Sequence, residues 1–452
     1  MTADVVVIGA GFAGLSAATG LAEAGLRVVV VDEAPRLGGR ATAFVDRVTG
    51  ERVDNGQHVL FGCYRETFRF LDRLGTSHLA PIEPRLELTM VADDGAAFPL
   101  VCPAWQPPWH LVAGLMRWRA VTFRDRLSAL RIGAVLQQAR RRGAAAVAAD
   151  VPEAMTAATW LDAHGQSHRL REWLWNPLGV AALNQSPDRA AARPFVRVLC
   201  EMFGPSADDA AVALPRVPLD QLYAVPAAEF IEARGGEVLL KSPAHIDVDE
   251  NGAVTGVRSG DRHFETAVVV SAVPWHAIDR IWSTGIPDQL AAIVAAASAM
   301  ESSPIVTVNL WFDRPVIGHR FVGFPDGALQ WAFDKSVLYA GGARHVALVA
   351  SGADDLLRLE NSALEELARA QLDRAFAAAR AAQLTRAVCV REARATFSLA
   401  PGQPSRPVTH TPIKGLFLAG DWTDTGLPAT IEGAVLSGHR AAAAILRERA
   451  DA

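Results

Sequence analysis

The chain has 452 residues, 50% of them hydrophobic and 21% charged, which excludes a disordered protein and suggests roughly two or three folded domains. Its 49 acidic and 44 basic residues leave a net charge of −5, which gives no ground for nucleic-acid binding. Cys63, Cys102, Cys200 and Cys389 are spaced too irregularly for a zinc site or a disulfide framework, so no metal is expected and a reducing, cytoplasmic compartment is.

Residues 4–8 read as a short buried strand of β-branched side chains. Its apolar run is only strand length, and nothing approaches the ~20 apolar residues that cross a bilayer. The strand leads into Gly9-Ala10-Gly11-Phe12-Ala13-Gly14, then a helical pattern over residues 15–24 that Gly25 stops, then a second strand over residues 27–31. In that order each glycine has its own task. Gly9 permits a tight turn, Gly11 lets the main chain approach a pyrophosphate, and Gly14 lets the helix pack on the strand. The helix start at Phe12 and Ala13 offers unpaired N–H groups and a positive dipole end to phosphates. The second strand ends in Asp32 and Glu33. Glu33, followed by Ala34, lies about 20 residues beyond Gly14, the spacing expected of a carboxylate on an adenosine ribose, with Asp32 the competing candidate.

Next comes Arg36-Leu37-Gly38-Gly39-Arg40. This segment resembles the arginine-bearing Gly-Gly motif of the flavin amine oxidase and carotenoid desaturase superfamily, and it selects FAD over NAD. Paired glycines allow a close main-chain approach at Gly39, and Arg40 can make a bidentate contact with pyrophosphate. The resemblance implies an α/β chain with a Rossmann-like FAD-binding domain that includes a β-meander, plus a discontinuous α+β substrate domain. The FAD-binding pieces are expected at 1–84, 215–284 and 390–452, and the substrate-binding pieces at 85–214 and 285–389.

The segment Val53-Asp54-Asn55-Gly56-Gln57-His58-Val59 follows, continuing to Tyr64. Residues 105–142 then hold Trp105, Trp109 and Trp118, with Leu111, Val112, Leu115 and Met116. The same stretch has eight arginines (117, 119, 124, 126, 131, 140, 141 and 142) and one acid, Asp125. Such a basic, tryptophan-bearing stretch suits a peripheral, membrane-facing segment, and it suits equally a solvated helix face with a buried stripe. Residues 236–270 read as a three-stranded meander, turning at 249–252 and 259–261. Residues 415–419 read as a strand entering Gly420-Asp421-Trp422, and Thr430-Ile431-Glu432-Gly433-Ala434 opens a last amphipathic helix to about residue 447. In the superfamily the matching aspartate bonds the ribityl chain and the last helix starts under the flavin. By that resemblance these roles fall on Asp421 after Gly420, and on Thr430, Ile431 and Ala434. A strand residue matching Val238 contacts adenine through its backbone. No cysteine precedes Gly420 closely, so FAD is expected to be non-covalent. A catalytic or flavin-bridging lysine would have to be Lys241, Lys335 or Lys414, the only lysines in the chain.

Residues 53–64, 175–184 (with Trp175-Asn176-Pro177-Leu178) and 308–315 together resemble the hydroxysqualene dehydroxylases of bacterial hopanoid synthesis. That resemblance implies a C30 isoprenoid alcohol as substrate and reductive loss of its hydroxyl to give squalene, with the electron donor left open. Gly56, Gln57 and His58 are expected beside the flavin. His58 is either the acid that protonates the leaving hydroxyl or a structural histidine that fixes the turn. Asn184 and Gln185 are either polar contacts to substrate or helix-terminal caps. Other readings stay open: a phytoene-type desaturase, an amine oxidase, and a prenyl-binding carrier of the same fold.

Overall fold

The computed structural model describes residues 2–325, 327–339 and 344–451. Its first strand, β1 (Val5–Ile8), is wholly buried and lies at the centre of a five-stranded parallel sheet. Helix α1 (Phe12–Glu23) and strand β2 (Val28–Val31) follow as the glycine pattern predicts. The spatial order is Leu416–Leu418, Val269–Ser271, β1, β2, Glu237–Leu239, so three distant pieces of chain meet in one sheet.

Alternate residues of a strand face opposite sides, and here both sides are covered. Val5, Val7, Val28 and Val30 pack with α1 and the last helix, Ile431–Asp451. Val6, Ile8, Val29 and Val31 pack on the other side with Trp275, Trp282 and Trp422. That two-sided burial is why the strands read as unbroken valine runs rather than alternating patterns.

The meander has three strands, but they are His245–Val248, Val254–Ser259 and Arg262–Glu265. Both of its turns fall where the Asn-Gly and Ser-Gly pairs place them. The expected bounds were too wide, because Glu237–Leu239 and Val269–Ser271 belong to the parallel sheet instead. Period-two patterns look alike in both settings, and only the pairing partner separates them.

A second, seven-stranded mixed sheet runs in the order Leu384–Phe397, Ser302–Phe312, His345–Ser351, Trp331–Asp334, Phe321–Gly323, Glu87–Val91, Ala97–Val101. Helix Asn361–Ala375 covers one face, with Leu364, Ala368 and Leu372 in the same core as Val306, Val308 and Leu310. The strand Leu384–Phe397 stays paired to Ser302–Phe312 as far as Phe397, and so runs straight through the seam placed at 389/390. A helical layer between Trp109 and Met202 has its own core around Trp160, Phe195 and Leu199. Trp118 belongs to that core. It is 1% exposed and donates its indole N–H to the Phe98 carbonyl at 3.0 Å, so it is not an anchor residue. Arg126 likewise turns inward, onto the carbonyls of Met116 and Trp118.

Candidate functional site

A cavity of about 810 Å³ opens where the parallel sheet, the seven-stranded sheet and the helical layer meet. One end is lined by Gly9, Gly11, Phe12, Ala13, Glu33, Ala34, Gly39, Arg40, Gly56, Gln57, His58, Gly420, Asp421, Thr430, Ile431 and Ala434. The other end is apolar, with Leu86, Leu100, Leu174, Leu178, Phe203, Trp331 and Phe333 among its walls. Of the residues expected from the sequence to hold the cofactor, Gly14 and Val238 do not line it.

Gly14 acts one layer back. A Cβ there would sit 1.9 Å from the Gly9 carbonyl oxygen and 3.2 Å from the Ala272 Cβ, so only glycine lets α1 close on the turn. Gly9 itself holds φ +109°, which side chains other than hydrogen resist. Val238 lies in the edge strand of the parallel sheet, beside β2, and its side chain packs against the core. Ser242, Pro243 and Ala244 line the wall there instead.

Among the described residues no side chain caps the start of α1, so its first N–H groups are free to face an anion at Gly11, Phe12 and Ala13. The two acids after β2 divide their tasks. Asp32 accepts from the N–H of Ala10 at 2.6 Å and of Ala34 at 2.8 Å, and so locks the turn. Burial pushes its carboxyl above the ordinary value, against those two bonds. Glu33 is exposed along the cavity wall and is left to bind. Gly39 at φ +57° brings its α-carbon side to the Gly11 backbone, 3.4 Å from an added Cβ. Tyr223, stacked on Phe12 with centroids 3.5 Å apart, donates to the Gly38 and Ala41 carbonyls and holds this loop. Arg40 reaches Asp421 with both terminal nitrogens, at 3.0 and 2.5 Å, and lies 5.2 Å from the Trp275 ring centroid. The guanidinium expected on pyrophosphate and the carboxylate expected on a ribityl chain therefore meet at one point. Uncapped main chain, an exposed acid at ribose spacing and a guanidinium held at the cavity by Asp421 form a set that fits a dinucleotide.

At the last helix, Thr430 accepts from the Gly433 N–H at 3.1 Å, which sets the helix start beside the cavity. Glu432 is buried and accepts from the N–H groups of Glu66 and Thr67, each at 2.9 Å, capping helix Arg65–Leu74. The sequence hinted at this role only through an acid inside an apolar run.

Between the two ends sits a cluster that sequence reasoning missed. Lys335 is 1% exposed and bonds Asp54 at 3.0 Å, Tyr339 at 2.6 Å and the Gln57 side-chain oxygen. Tyr339 donates to the same Asp54 oxygen at 2.5 Å, and the Leu219 N–H takes the other at 2.9 Å. Burial alone would raise Asp54, but the Lys335 charge and these bonds outweigh it and hold the carboxyl below its ordinary value. Burial pulls the Lys335 ammonium down, with Asp54 opposing. The signal available was that Lys335 is one of three lysines in the whole chain. No spacing linked it to Asp54: Lys335 opens the short helix Lys335–Leu338, while Asp54 ends a strand 281 residues earlier.

His58 accompanies Gln57 on the cavity wall. Its Nδ1 is 2.8 Å from the Gly56 carbonyl, and since a carbonyl only accepts, Nδ1 carries the proton. Burial, more than any other factor, lowers its pKa below the ordinary value. Asn184 takes a left-handed helix cap at φ 52° and bonds the Ser303 carbonyl, Thr396 and the Gly352 N–H. Gln185 bonds Ser398 and the Leu399 N–H. Asn184 thus ends its helix through its backbone and also lines the cavity, while both amides bond neighbouring segments of the chain.

Residues 12–446 match a family model described as flavin containing amine oxidoreductase. Hydroxysqualene dehydroxylases from Rhodopseudomonas palustris and Sinorhizobium fredii are similar to this chain at 30% and 29% identity, each with 99% of both chains covered. A 15-cis-phytoene desaturase from an Oncidium hybrid cultivar is 27% identical, over 98% of this chain and 78% of its own. Putrescine oxidase bound to putrescine has a similar fold, with a TM-score of 0.72 at 19% identity and 99% of both chains covered.

Proposed function

Because this chain belongs to the family of flavin containing amine oxidoreductases, we propose that it binds FAD non-covalently and reductively removes the hydroxyl of hydroxysqualene, giving squalene for hopanoid synthesis. That it is a flavin-dependent oxidoreductase follows from the family. The finer reading is carried by one observation: the glycine-lined end and the apolar end are a single cavity. A long hydrocarbon laid along the apolar end would bring its functional carbon to the polar end. The two dehydroxylase relatives, matched over nearly their whole length, support the choice of substrate.

Gly11, Gly39, Arg40 and the start of α1 would hold the pyrophosphate, Glu33 the ribose, and Asp421 with the Ile431–Asp451 helix start the flavin end. No cysteine is among the described residues lining the cavity, in keeping with a non-covalent cofactor. Bound there in its reduced form, the flavin supplies a hydride to an electron-poor carbon. The hydroxyl takes up one proton and leaves as water, and the apolar walls keep other water from the allylic carbon. The His58 geometry favours the turn-fixing role, since the neutral ring keeps its one proton on Gly56 and burial opposes a second.

The deciding experiment is an anaerobic reaction of the reduced, purified holoprotein with detergent-solubilised hydroxysqualene, read by mass spectrometry. Squalene together with flavin reoxidation is expected. Intact alcohol and a flavin that stays reduced would overturn the reading. Phytoene is the next substrate to try, because a phytoene desaturase is also among the relatives. A His58→Gln variant is expected to keep both flavin and turnover, and its loss of turnover at full flavin content would restore the acid role.

A further inference from the structure

We infer that the helices Trp109–Arg117 and Phe123–Ala129, with the loop carrying Trp105, form a docking face for an anionic lipid surface. Trp109 is 65% exposed, Phe123 58% and Trp105 51%, and Leu127 and Leu130 are exposed beside them. Phe123, Leu127 and Leu130 recur at helical spacing, so they form one outward stripe. Trp105, Trp109, Val112 and Ala113 line a shallow apolar groove of their own.

Within residues 105–142 the exposed charges are of one sign. Arg117, Arg119 and Arg124 are exposed, and among the described residues none of them pairs with a carboxylate. Arg117 lies 5.9 Å from the centroid of Trp105. Asp125, the only acid between 105 and 142, is buried and accepts from the Thr122 N–H and hydroxyl at 2.7 Å each. The outer face is therefore aromatic, aliphatic and cationic.

That chemistry selects among occupants. Bilayer interfaces take tryptophan rings at headgroup depth and aliphatic side chains below, while anionic headgroups attract arginine. A second copy docked through the same patch would set these arginines against themselves. Nucleic acid has no use for exposed Leu127 and Leu130. Among the described residues no helix is long and apolar enough to cross a membrane, so this face would lie on the bilayer.

The inner side of the same helix bears on the cavity. Leu111 and Leu115 pack into the cluster that holds the cavity-lining Leu86, Leu88, Leu100 and Leu174. The docking face is one helix away from the apolar end, a short path for a hydrocarbon leaving the bilayer. Only this last link rests on the isoprenoid reading.

The test is flotation of the holoprotein without substrate. It compares phosphatidylcholine vesicles with phosphatidylcholine–phosphatidylglycerol vesicles, with W105A/W109A and R117E/R124E as variants. Retained flavin absorbance and an unchanged melting temperature show that each variant is folded. The wild type should float with the anionic vesicles, and R117E/R124E should partition at least about a hundredfold more weakly, at roughly fivefold per charge. W105A/W109A should also lose binding. A wild type that floats with neither vesicle overturns the inference, as does a W105A/W109A variant that floats like the wild type. A dimer that W105A/W109A dissociates, with no lipid binding by the wild type, overturns it in favour of a self-interface. Detergent-based turnover is read separately, so a failed substrate reading leaves the flotation result intact.

Discussion

At the cofactor end, the cavity is walled largely by main chain: Gly9, Gly11, Gly39, Gly420 and the starts of two helices. At the other end it is walled by side chains such as Leu86, Leu178, Phe203 and Trp331, drawn from helices and strands far apart in the chain. The first wall depends on where an atom is missing: a Cβ at Gly9 would sit 2.8 Å from the Ala272 carbonyl oxygen, and Gly39 and Gly420 hold positive φ angles that favour glycine. The second depends on volume and apolarity, which many different residues supply. Tolerance to substitution should therefore differ sharply between the two ends, with the Lys335–Asp54 cluster as the joint between them.

The largest effect is expected at that joint. Lys335→Met strands the Asp54 carboxylate in the interior and should cost about 3–5 kcal/mol, seen as a lowered melting temperature. Adding Asp54→Asn should recover much of the loss, since no buried charge then lacks a partner. A melting temperature unmoved by Lys335→Met would show that the cluster is not a joint at all.

Gly14→Ala comes next. The added carbon meets the Gly9 oxygen at 1.9 Å, and relieving that clash should cost about 3 kcal/mol and empty the flavin, read as lost yellow colour. A yellow, fully loaded Gly14→Ala protein would mean that the turn can shift, breaking the contrast from its cofactor side.

Ala182→Phe fills the apolar end and sharpens the contrast from the other side. Flavin loading should be unchanged while turnover of a long isoprenoid falls on the order of tenfold, the expected result of about 1–3 kcal/mol of overpacking. The smallest effect is expected for Glu33→Gln, which keeps the shape and removes the charge. FAD affinity measured by titration of the apoprotein should fall about tenfold, the value of one charge-assisted hydrogen bond. The same loss from Asp32→Asn, with Glu33→Gln silent, would reverse their assignment.

The cofactor end was legible because its requirements are local. Gly9, Gly11 and Gly14 sit between two β-branched strands, and Glu33 follows at a fixed distance, so pattern alone located the turn, helix and acid. Asp421 and the last helix were reached only by resemblance, since a Gly-Asp pair means nothing by itself. The strand around Val238 was assigned to the meander because a short alternating strand carries no mark of which sheet it joins. Trp118 and Arg126 were grouped with the surface on composition, yet their polar atoms bond carbonyls inside the helical layer. The stretch that truly faces outward is narrower, around Trp105, Trp109 and the Phe123 stripe.

By itself the sequence determined the βαβ turn, its glycines and the meander turns. Those features arise from backbone sterics and from periodicity over a few neighbouring residues. Only the tertiary structure decided that Lys335 neutralises Asp54, that Glu432 caps a helix more than 360 residues away in sequence, and that the polar and apolar ends form one cavity. Pairing a buried charge depends on which groups are brought together in space, and no spacing along the chain encodes that.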